Sequence, residues 1–96
     1  MGRIRQVTVE DTFNVTGRGL VAVGQGEVYD VLPGSPWRVE IRTPGGDVLE
    51  RLAYKEWLLV RTQPVMEREA FVLRDTKKEE VPVGSVLTFL GLAERP

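Results

Sequence analysis

The chain has 96 residues, a net charge of −1 and an isoelectric point near 5.5, so it is read as one domain lacking the basic excess of phosphate-gripping domains. It contains neither cysteine nor histidine. That excludes a disulfide framework, a thiolate nucleophile and a sulfur-ligated metal, and removes the commonest general base.

Residues 4–15 read as a first strand. Val7, Val9, Phe13 and Val15 alternate with Thr8, Glu10, Thr12 and Asn14, the period-2 signature of a half-buried strand. Asp11 falls on the apolar side, which requires either a bulge that turns it outward or backbone N–H donors for its carboxylate. Thr16-Gly17-Arg18-Gly19 then interrupts the pattern with two residues that take positive φ freely. A second strand starts at Leu20, breaks at Gly24-Gln25-Gly26 and resumes over residues 28–32, ahead of the turn cluster Pro33-Gly34-Ser35-Pro36.

From Trp37 the alternation is clean: Trp37, Val39, Ile41 and Thr43 face one way, and Arg38, Glu40 and Arg42 the other. Pro44-Gly45-Gly46-Asp47 is a hairpin turn, and residues 48–54 form the returning strand. Residues 53–59 can be written as a helical turn, although a strand over 56–61 fits a barrel better; residues 63–68 form a loop around Pro64. Residues 70–73 and 86–90 are apolar on both faces, which implies cover on both sides. The charged stretch 75–84 connects them. Six or seven short strands separated by turns indicate an all-β sandwich or barrel. No apolar leader or membrane-length run is present, so a cytoplasmic location with no membrane partner is expected.

Few motifs carry chemistry. Gly17-Arg18-Gly19-Leu20-Val21-Ala22 matches a dinucleotide-binding pattern on paper, but a valine-rich strand follows where the chemistry needs a helix N-terminus. A phosphate-binding P-loop is absent. Glu10-Asp11 and Glu79-Glu80 are sequence neighbours, which point to opposite faces of a strand and form no acid–base pair. Trp37, Tyr54 and Trp57 are either a stacking platform for bases or core and barrel-end residues. Arg18, held between glycines, projects from its loop; it can grip a phosphate or carboxylate of a partner, or pair internally with an acid such as Asp11. No catalytic residue, metal ligand or cofactor site is expected.

Two segments carry a family resemblance. VEDTFNVTGRGLVAVG and FVLRDTKKEEVPVGSVLTFLG resemble the opening and closing strands of the second, β-barrel domain of translational GTPases such as elongation factor Tu. The two matching ends cover a little under half the chain. The resemblance implies an all-β fold, a small closed antiparallel Greek-key β-barrel of about six strands. It also implies a non-enzymatic binding module that docks on the ribosome, RNA or a protein partner. In related barrels the GRG loop faces the ribosome or partner domains, and a glutamate matching Glu56 helps to form a pocket for the aminoacyl end of tRNA.

The family's arginine three residues beyond that glutamate is Leu59 here, with Arg61 two further on. Its E-R-G-x-V-x-x-G-D segment is replaced by QGEVYDVLPGSPW. The partner-binding residues implied are Gly17, Arg18, Gly19, Glu56 and Arg61. The alternative is a structural barrel that forms homo-oligomers through an apolar face, over residues 58–60 or 87–92, with no nucleic-acid role. A small-ligand or enzymatic role in the barrel mouth would need a polar constellation that the sequence does not display.

Overall fold

A computed structural model describes residues 5–26, 28, 31, 33–56 and 69–93. Six strands, β1 (Gln6–Val15), β2 (Gly19–Gly26), β3 (Pro36–Arg42), β4 (Val48–Glu56), β5 (Glu69–Leu73) and β6 (Val86–Leu92), close into an antiparallel barrel in the order β1-β2-β5-β4-β3-β6. A short 3-10 turn, Lys78–Glu80, lies in the β5–β6 connection. The expected all-β closed barrel is therefore present. Of the two readings for residues 53–59, the helical turn is not seen over 53–56, where β4 continues to Glu56; the preferred strand over 56–61 lies, beyond Glu56, outside the described residues.

The strands are strongly staggered. Stepping across from Asn14 through Leu20, Leu73, Ala53 and Trp37 leads to Leu92, beyond Thr88, which itself pairs with Gln6. One circuit thus returns to the opposite end of β1, the stagger that closure of a few tilted strands demands. As a result β6 covers only residues Gln6 to Thr8 of β1. The far half of β1 and the β1–β2 turn reach past it.

The interior follows the alternation on β3, where Trp37, Val39, Ile41 and Thr43 are buried. On β1 the phase changes. The register shifts between Val9 and Asp11, so Val7 and Val9 face inward, but beyond the bulge Thr12 is buried and Phe13 is 39% exposed. This corrects the expectation that Phe13 shares the inner face of Val9. One extra residue reverses every side chain that follows it. Asp11 lies outside, its carboxylate accepting the Thr12 N–H at 2.9 Å.

Gly24-Gln25-Gly26 does not break β2. The strand runs through it, paired with Val9, Thr8 and Val7. A Cβ on Gly24 or Gly26 would collide with the backbone oxygens of Thr8 or Gln6, so glycine is what lets β1 and β2 approach. Val28 and Val31 are fully buried but lie outside any strand, with Val31 N–H donating to the Val28 carbonyl at 3.1 Å. They complete the core, as does Val81 from the β5–β6 connection. At its centre Phe71 and Phe89 meet at 4.7 Å, and Trp37 meets Phe89 edge-on at 6.1 Å.

The apolar runs end differently. On β2 and β5 the outward Val21, Val23, Ala70 and Val72 form a second buried cluster with Val15 packed against it. Both faces of residues 70–73 are thus covered, as expected. On β6 only Leu87 and Phe89 are buried, whereas Leu90 and Leu92 are 45% and 61% exposed. The expectation of double cover over 86–90 is corrected. The β6 neighbours present Arg38, Glu40, Arg42, Gln6 and Thr8 outward, and these build no apolar layer.

Candidate functional site: a basic groove on the barrel rim

Local chain geometry sets the β1–β2 turn. Arg18 N–H donates to the Val15 carbonyl at 3.0 Å, closing a four-residue turn whose third residue, Gly17, sits at φ 82°. That position calls for glycine. Gly19 is at φ 115°, and a Cβ there would lie 2.6 Å from the Leu73 carbonyl oxygen. The two glycines serve different needs: the first turns the chain, and the second lets β2 pass the end of β5.

Arg18 leaves this turn with its side chain 66% exposed, and its Nη1 stands 3.5 Å from Glu56 Oε1 at the end of β4. The internal partner is therefore Glu56, not Asp11. Pairing of β2 with β5 and of β5 with β4 brings the two residues together.

Between them runs an open groove of about 930 Å³. It is lined by Tyr54 and Val72, which face each other across the β4–β5 ladder, by the Gly17-Arg18-Gly19 turn, and by the loop after β5. That loop is fixed by its own bonds. Arg74 N–H donates to the Leu52 carbonyl at 3.0 Å, and the buried Thr76 hydroxyl donates to the Arg74 carbonyl at 2.7 Å. Asp75 adopts the left-handed φ of 51°, a conformation that aspartate tolerates better than most residues. Lys77 N–H donates to Glu80 Oε1 at 2.8 Å, and Arg51 Nη2 reaches Glu80 Oε2 at 2.9 Å. These contacts hold the Glu80 carboxyl below its ordinary pKa, the Lys77 N–H contributing first and the Arg51 charge next.

Arg18, Lys55, Arg74 and Lys77 line the groove against the carboxylates of Glu56 and Asp75. Lys55 Nζ is committed to Glu69 at 3.1 Å in a largely covered pair, 13% and 24% exposed. Arg74 lies over the Tyr54 ring, 5.4 Å from its centroid, a cation–π arrangement that orients the guanidinium. A smaller groove of about 510 Å³ adjoins across Arg74 and Asp75, and Arg38, Glu50, Arg51 and Leu52 line the rest of it.

Of the residues expected at the site, Gly17, Arg18, Gly19 and Glu56 converge here, while Arg61 lies outside the described residues. Trp37 is no platform: it is buried in the core, with Arg5 over its ring at 5.2 Å. Trp57 lies outside the described residues, as do the expected loop over 63–68 and the apolar segment 58–60. Tyr54, the third member of that candidate platform, does line the groove, whereas Arg74 and Lys77 were not anticipated as site residues. Their only signal was the Leu-Arg strand end and charged turn in LRDTKK. Among the described residues no cluster of three carboxylates could hold a metal. The sequence matches no protein-family model and no curated protein sequence.

Proposed function

We propose that the protein is a non-enzymatic binding module of the translation-factor second-domain type that docks on a ribonucleoprotein or protein partner through the rim groove. The observation that carries this reading is the convergence of the Gly17-Arg18-Gly19 turn, Glu56 and the loop of Arg74 and Lys77 on one groove. It is a local basic surface on a chain of net charge −1. The β1–β2 hairpin with its GRG turn, and the strand order around the barrel, support the Greek-key likeness. A cytoplasmic location accords with the role. The test is affinity capture from native lysate by the wild-type chain and by Arg18→Glu. The reading expects ribosomal components or another stable partner with the former and their loss with the latter. Recovery of no partner by the wild type contradicts it.

Exposure of Leu90 and Leu92 on β6 favours a second reading, a homo-oligomeric barrel joined through that face. Light scattering decides it: a monomer at high concentration removes this reading.

A further inference from the structure

We infer that the rim groove receives a compact dianion, a phosphorylated serine or threonine side chain of a protein partner, between Arg74 and Lys77. The inference rests on the reading of this groove as the docking site, and it follows from how the cations are already engaged. Arg18 is held by Glu56 at 3.5 Å and Lys55 by Glu69 at 3.1 Å. Neither Arg74 nor Lys77 makes an ion pair with a described residue. Arg74 lies over the Tyr54 ring, 5.4 Å from its centroid, and the Lys77 ammonium acts on Glu80 only through longer-range charge, the hydrogen bond there coming from its backbone N–H. The ring takes up none of the guanidinium's N–H donors as conventional hydrogen bonds, so they remain for an acceptor.

The loop that carries both cations is already ordered by the bonds to Leu52, Arg74 and Glu80 described above. Binding therefore pays little for ordering it. Charge decides the ligand class. A side-chain carboxylate brings one charge and two acceptor oxygens, too few to serve Arg74 and Lys77 together. A phosphomonoester carries roughly −1.5 to −2 charges near neutral pH and three acceptor oxygens. It can engage Arg74 and Lys77 together and draw on the exposed Arg18, which then bridges it to Glu56. A nucleic-acid strand is a poorer fit. Its evenly spaced phosphates would run past Glu56 and Asp75 in this groove and Glu50 in the adjoining one.

The test is fluorescence anisotropy on the full chain with four probes: a degenerate peptide pool centred on phosphoserine, the same pool centred on serine, the same pool centred on glutamate, and a short oligouridylate. The phosphoserine pool is expected to bind roughly tenfold or more tighter than the glutamate pool. Arg74→Gln and Lys77→Gln should each weaken it by roughly tenfold, while Arg42→Gln, outside the groove, leaves it unchanged; circular dichroism verifies that every variant is folded. Equal binding of the phosphoserine and glutamate pools, or binding insensitive to both groove substitutions, overturns the inference. Tighter binding of oligouridylate, lost in the groove variants, overturns the phosphoprotein assignment and leaves the groove as a docking site. Binding of any probe that survives combined substitution of Arg18, Arg74 and Lys77 removes the docking reading as well.

Discussion

Arg18 and Glu56 belong to different hairpins, yet Nη1 of one stands 3.5 Å from Oε1 of the other across the rim. The pair is open to solvent, so screening and side-chain entropy leave it little net strength. Arg18→Ala is expected to change unfolding free energy by less than about 1 kcal/mol in urea titrations, while abolishing partner capture. A large stability loss would make Arg18 a structural residue and not a contact.

The two glycines of the turn should differ in cost. Gly17→Ala meets open space and is opposed by its positive φ, a penalty of about 1–2 kcal/mol. Gly19→Ala meets the Leu73 carbonyl oxygen at 2.6 Å as well, so it should cost more, on the order of 3 kcal/mol. Urea midpoints of the two variants measure the difference, and equal values would mean that β5 yields to the added methyl.

The bulge at the middle of β1 predicts an asymmetry between two phenylalanines. Phe71→Ala empties a fully buried site and should cost about 3–5 kcal/mol, much of the 5–15 kcal/mol typical of a whole domain. Phe13→Ala, on the outside after the phase change, should cost about 1 kcal/mol or less. Thermal or urea unfolding compares them. A Phe13 loss close to that of Phe71 would contradict the register.

Glu80 makes stability depend on acid pH. Its folded pKa lies below the ordinary 4.5, so the unfolded chain binds this proton more readily than the folded one. The stabilisation is present above the unfolded value and fades as pH falls through the lowered folded value. Glu80→Gln should therefore show a shallower loss of stability below the ordinary carboxylate pKa than the wild type. Parallel acid limbs in the two proteins would show that Glu80 carries none of the dependence.

What could be read from the chain was mostly what neighbours in sequence decide. The inward face of Trp37, Val39 and Ile41, the hairpin over 44–47 and the turn at Gly17 all follow from local alternation and backbone freedom. Asp11 on the apolar side points to a bulge as one of two readings, but a bulge is a property of two strands, so the reversal that buries Thr12 and exposes Phe13 was not followed through. Gly24 and Gly26 read as a break because their purpose is the proximity of β1. Likewise, Leu90 looks like core until its neighbours on β3 and β1 are known. At the site, Arg18 and Glu56 were legible singly. Their meeting, and the addition of Arg74 and Lys77, depend on β5 lying between β2 and β4.

The most direct test of the docking surface is site-specific photo-crosslinking in native lysate, with p-benzoylphenylalanine introduced in place of Lys78, beside the groove, or of Arg42, on the outer face of β3. The account predicts a discrete crosslinked partner from position 78 and none from position 42. A crosslink confined to position 42, or the same product from both positions, would contradict it.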